Sequence, residues 1–103
     1  FLADPPADER SWQKVMVKGA EVATTVLDEA IEAFADVTWE ADPIKAALFD
    51  DIAARHDLKP GKAQAPVRVA ALGRSVGPPL FESLELLGRD ETVRRLRAAR
   101  ARL

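Results

Sequence analysis

The chain has no cysteine, one histidine and one methionine among its 103 residues. Without cysteine there is neither a disulfide framework nor a thiolate metal site, which is compatible with a reducing cytoplasm, the expected location. Its uncharged stretches are too short to cross a bilayer, and no signal-like segment opens it. Nucleotide-binding glycine loops of the GxxxxGK or GxGxxG type are missing, as are HExxH and any Cys/His cluster. No Ser/His/Asp set stands out. Asp50 and Asp51 are adjacent, so on a helix they point in two directions and cannot share one proton. His56 has no second ligand nearby in sequence and reads as a helix C-terminal residue facing the dipole. The sequence therefore predicts no catalytic residue, no metal ligand and no cofactor within these residues.

A chain of this length makes one domain, residues 1–103, with one modest core. It starts at Phe1 and its only methionine is Met16, so it is expected to be a piece of a longer protein. The net charge of −2 hides an asymmetry. Residues 1–57 carry five Lys/Arg against thirteen Asp/Glu, whereas residues 58–103 carry ten against four. A domain with one basic half presents one face to a polyanion. Charge alone, however, favours a solvated helical surface whose halves attract weakly.

Periodicity predicts helices throughout. Pro5 and Pro6 mark an extended entry, and a short helix over Asp8–Val17 places Trp12, Val15 and Met16 on one face before Gly19 stops it. Over Ala20–Val37, Val22, Val26, Ala30 and Phe34 recur every four residues, with acidic residues outside. Asp42-Pro43 reads as an N-cap and first helical residue, with Ile44, Leu48 and Ile52 following at helical spacing. That helix is expected to end near His56, with Lys59-Pro60-Gly61 as a break. Val67-Arg68-Val69 has strand character, yet no partner strand exists elsewhere to satisfy its backbone, so Lys62–Leu72 is expected to be helical up to Gly73. Gly77 as cap and Pro78 as first residue open a helix through Leu87. Gly88 stops it, and Asp90 caps a last helix in which Val93, Leu96, Arg100 and Leu103 share a face. The expected fold is all-α, a compact cage of about six helices.

One stretch is unlike generic core. In Ala65–Leu87 a Gly77-Pro78-Pro79 turn opens directly into Leu80 and Phe81, with Arg68 and Arg74 nearby and Arg89 at the next turn. Arginine offers a planar fork that grips phosphates or base edges and stacks on bases. The turn adds unpaired N–H donors at a helix N-terminus, and its two prolines limit the entropy lost on binding. Arg68, Gly77, Pro78, Leu80 and Phe81 are thus candidate RNA-binding residues. Equally consistent with these residues is a well-capped helix whose Leu80 and Phe81 are simply core.

The run from Leu58 to Ala98 holds, in order, a KxGK segment, Pro-x-Arg ending in Gly, a proline turn, LFE, an LLG stop and an RL-rich helix. In this order the segments resemble the C-terminal anticodon-binding domain of bacterial glutamyl-tRNA synthetases, strongly from Lys59 onward and more loosely before it. The resemblance implies an α-helical cage that grips the anticodon loop of tRNA(Glu), with neither DNA nor membrane as partner. It also implies an upstream catalytic domain in the same polypeptide that uses ATP and Mg²⁺ to attach glutamate. By position, Arg68 matches the family arginine on an anticodon base, while Gly77, Pro78 and Leu80 match the turn at the middle and third bases, with Phe81 following. Where the family often has Thr or Ser, this chain has Gly77, leaving backbone groups to read that base. A competing expectation of another class is a helical protein-interaction domain that docks an acidic partner through its Arg-rich C-terminal half.

Overall fold

Among the residues described by the computed structural model (residue 10, residues 12–73 and residues 79–103), every regular element is helical. α1 is a π-helical segment over Trp12–Val17, and α2 runs over Ala20–Asp36. α3 covers Ala41–Ala46 and continues as a π-helix over Ala47–Ala53. α4 spans Pro60–Leu72, α5 Leu80–Leu87 and α6 Arg89–Ala101. The expected all-α cage forms with α2 as its hub, since α1, α3, α4 and α6 all pack on it. α5 closes the cage against α3, α4 and α6.

The apolar spacing of the sequence explains most of this. Val26, Ala30 and Phe34 of the four-residue repeat in α2 are fully buried, with Leu27 beside them, while Val22 at its start is only partly buried. In α3 the buried residues include Ala47 with Ile52 and Leu48 with Ala53. These pairs are five apart, the spacing that a π-turn brings onto one face. The helix is closed by Asp57 in the left-handed region (φ 55), a conformation Asp tolerates better than most residues. Leu58 N–H then donates to Ala53 O at 2.8 Å. The segment of mixed propensity is α4, with Ala63, Val67 and Ala71 fully buried and Pro66 carried inside the helix. It ends at Gly73 (φ 80), as expected.

Five boundaries differ from the sequence expectation. α3 begins at Ala41, with Glu40 extended before it, so Asp42 and Pro43 lie in the first turn. An acid is favoured there by the helix dipole, and a proline loses no helical hydrogen bond there. Pro60-Gly61 is the start of α4 instead of a loop, because the chain has already turned at Asp57. α5 begins at Leu80 with Pro79 as its N-cap residue. Gly77 and Pro78, the expected start, lie outside the described residues. Finally, Gly88, not Asp90, precedes α6; its φ of 92 reverses the chain within one residue, which side-chain-bearing residues rarely allow. α6 ends at Ala101, so Leu103 is 39% exposed instead of joining the buried face.

The C-terminus of α2 is closed from outside. Its last turn contains no basic residue. Arg89, the first residue of α6, donates from Nε to Phe34 O at 3.1 Å and from Nη2 to Val37 O. Its guanidinium lies 5.6 Å from the Trp39 ring centroid. Trp39 in turn meets Phe34 edge-on at 5.7 Å and donates from Nε1 to Leu84 O at 3.0 Å. One arginine and one tryptophan thereby tie α2, α5 and α6 together. Arg89→Ala should lower stability by about 1.5–3 kcal/mol, the range for hydrogen bonds from a charged donor. Arg89→Lys should recover only part, because an ammonium lacks the fork. Urea unfolding midpoints check this, and an Arg89→Ala midpoint equal to that of the unmodified chain would remove the clasp from the account.

Candidate nucleic-acid interface

Arg68 lies one turn short of the C-terminus of α4, and Leu80 and Phe81 open α5. The described candidates thus occupy the two helix ends flanking the α4–α5 connection, while Arg74, Gly77 and Pro78 fall outside the described residues. Arg68 is 9% exposed, Leu80 2% and Phe81 8%. All three side chains belong to the packed interior, and Arg68 is not a free surface cation. Pro79 beside them is exposed. Among the described residues no side chain caps α5, so the N–H groups of its first turn have no described side-chain acceptor. Phe81 meets Phe49 of α3 at 5.2 Å with an interplanar angle of 89°. This edge-to-face contact makes its ring an anchor for the start of α5.

Two further side chains set the geometry of these helix ends. Arg95 donates from Nη1 to Ala71 O at 2.8 Å, bracing the last turn of α4 from α6. Trp39 holds α5 through Leu84 O. Arg95 pairs with Glu91 four residues earlier, a spacing visible in the sequence, whereas its reach to α4 is not.

The expected gathering of Arg68, Arg74 and Arg89 on one surface is not how Arg89 is used; it is pinned to the end of α2. Most other arginines of the basic half are also engaged within the fold. Arg94 and Arg95 both bind Glu91, and Arg100 binds Asp28 at 2.8 Å. Arg102 lies 3.7 Å from the centroid of the Trp12 ring. The two halves therefore interleave; in addition, Arg55 and His56 pair with Glu29. Among the described residues no helix is long and apolar enough to cross a membrane.

The chain carrying these helix ends is similar to known proteins. The family model described as "Anticodon binding domain" matches residues 1–100. The chain belongs to the anticodon-binding domain family. Over its full length this anticodon-binding domain is 56% identical to a glutamate–tRNA ligase of Salinispora arenicola and 55% identical to one of Thermobifida fusca. It spans about a fifth of the length of these curated relatives, 21% in each case. A solved structure, a glutamate tRNA ligase from Elizabethkingia meningosepticum in complex with its amino acid, matches 98% of the chain with a TM-score of 0.84 at 26% identity. The matched part is 19% of that chain.

Hydrogen bonds from Arg94 and Arg95 hold the Glu91 carboxyl down at about 2, from an ordinary value of 4.5. Between these two values the unfolded chain binds a proton at Glu91 that the folded chain does not. Its contribution to stability is therefore full above the upper value and is lost as pH falls toward the lower. Glu91→Gln should flatten the acid limb of a stability–pH curve in that window, with little change in its slope near neutrality. An acid limb of unchanged steepness would show that the Arg94–Glu91–Arg95 cluster does not couple to folding.

Proposed function

We propose that this domain reads the anticodon bases of tRNA(Glu) for a glutamate–tRNA ligase of which it is one part. The observation that carries this reading is the full-length likeness, at 55% identity and above, to relatives bearing that name. The parent would join glutamate to tRNA in the cytoplasm in an ATP-dependent, Mg²⁺-assisted reaction, performed by an upstream catalytic domain. Among the described residues no group of three His, Cys, Asp or Glu side chains is positioned to hold a metal ion, so no step of that reaction is assigned to them.

The geometry of the flanking helix ends supports recognition at Pro79 and the start of α5. Single-stranded RNA is read by holding splayed bases against stacking surfaces and donors. Pro79 would offer an apolar edge, and the N–H groups at the start of α5 would offer donors backed by the helix dipole. Gly77 and Pro78 would lead into that edge, with Gly77 admitting close approach of a base to the backbone. Leu80 and Phe81, being buried, would hold the edge in place from beneath. Arg68 stands at the border of the core, where low exposure strengthens a hydrogen bond to a base edge. Docking of an acidic protein through the Arg-rich half is less well supported, because most of those arginines already have partners inside the fold.

Arg68→Ala should weaken binding of a tRNA(Glu) anticodon stem-loop by about 1.5–3 kcal/mol, the loss of a charge-assisted contact. Calorimetric titration measures it, with a thermal melt of the same variant to separate binding from folding. Unchanged affinity in a folded variant takes Arg68 out of the site. Replacing the middle anticodon base should also weaken binding to the unmodified domain, whereas a protein-docking domain would bind both RNAs alike.

A further inference from the structure

Three of the cations of the acidic half lie together. Arg10, Lys14 and Lys18, with Gln13, line one open depression on and beside α1. Lys14 also lines a second depression, of about 460 Å³, together with Lys59 and Lys62 from the start of α4. Lys14 stands between the two depressions, lining both. Val15, Val22, Ala65 and Pro66 contribute apolar lining to the second, and among the described residues no Asp or Glu lines either. All five cations are exposed, and none has an ion pair with a described residue. The contrast with α6 is sharp: there Arg94, Arg95, Arg100 and Arg102 are each held by a partner.

The placement of Lys59 and Lys62 runs against the rules of helix stability. The N-terminus of a helix carries a partial positive charge and favours acids in its first turn. α4 has no acidic residue in its first turn, no side-chain cap, and a lysine at its N-cap. Two cations on the positive end of a dipole are destabilising in the free domain, and local rules are broken in this way where a site serves binding. An incoming anion would relieve the repulsion and meet the unsatisfied N–H groups as well.

From this arrangement we infer that α1 and the first turn of α4 form a second RNA-contacting surface, which holds the phosphodiester backbone flanking the bases read at the α4–α5 connection. This rests on the anticodon-reading function proposed above. α4 has 13 residues, so its two ends are separated by about 18 Å along a rigid helix. One end would meet bases and the other backbone, with α4 as the spacer between them. The groove carries charge without the convergent polar groups that specify a small ligand, as suits a sequence-blind contact to phosphates.

The test uses the 103-residue chain and a triple variant, Lys14→Gln, Lys18→Gln and Lys62→Gln, all exposed side chains. Each protein is titrated across a salt series with a tRNA(Glu) transcript and with one whose middle anticodon base is changed. Lys45→Gln, an exposed α3 lysine outside both depressions, serves as the charge control. Each lost contact to single-stranded backbone should remove about 0.7 from the log–log salt slope, so the triple variant should lose about 2 for both RNAs. Its preference between the two RNAs should persist, and Lys45→Gln should keep the slope of the unmodified chain. A triple variant with an unchanged slope overturns the second surface even if anticodon preference remains. The same result accompanied by loss of binding to an acidic peptide assigns the groove to a protein partner and equally overturns it. Equal affinity of the unmodified chain for both RNAs instead overturns the anticodon reading, and is read independently of the slope.

Discussion

The packing of this domain depends on how the C-terminal end of α2 is closed. A helix leaves its last carbonyls without partners, and burying them unpaired would cost about 1–3 kcal/mol apiece. α2 is the hub of the cage, and its last turn brings no cation of its own. Arg89 satisfies Phe34 O and Val37 O from the first position of α6, placing positive charge where the helix dipole is negative. Trp39 lies under the same guanidinium and binds the backbone of α5 at Leu84. Three helices meet through two side chains. The orientation of α5, and with it the edge at Pro79, follows from that junction.

A rigid edge suits the recognition of single-stranded RNA. Arg68, Leu80 and Phe81 are buried in the free domain, so the described helix ends on either side of Pro79 are anchored in the core. Phe81 against Phe49, Arg95 on Ala71 O and Trp39 on Leu84 O restrain these ends from three sides. Ordering before binding reduces the entropy lost when RNA arrives. The charge distribution follows a similar division. Most arginines of α6 stabilise the fold, whereas Lys14 and Lys18, on and just after α1, and Lys59 and Lys62, at the start of α4, have no ion pair with a described residue.

The all-helical architecture was legible because apolar residues recur every three or four positions in α2 and at similar spacing in α3, α5 and α6. α4 was reachable only by elimination: Val67-Arg68-Val69 suits a strand, and the absence of a partner strand decided against it. Boundaries such as Glu40 and Gly88 were missed because the expected caps, Asp42 and Asp90, are equally good as first-turn acids. The candidate residues were picked out by residue type and family pattern, neither of which carries their burial. Leu80 and Phe81 suit a core as well as a binding edge, and periodicity cannot separate the two. Nor could it show where Arg89 would go, since its acceptors are backbone carbonyls more than fifty residues away. The lysine groove was hidden by averaging charge over halves of the chain: Lys14 and Lys18 belong to the acidic half in sequence but to the basic corner in space.

Between Leu87 and Arg89 the chain allows a single residue, Gly88, with φ 92 and ψ 155. Such a joint has two torsions and no slack, so α5 and α6 behave as the arms of a bell crank. α6 is 13 residues long, so a change of about 10° at the joint sweeps its far end, roughly 20 Å away, through about 3 Å. That far end carries Arg100 and Arg102, which rest on Asp28 and on the ring of Trp12 in α1. Any tilt at that joint would have to break the contacts of Arg100 with Asp28 and of Arg102 with Trp12, the residue that opens α1.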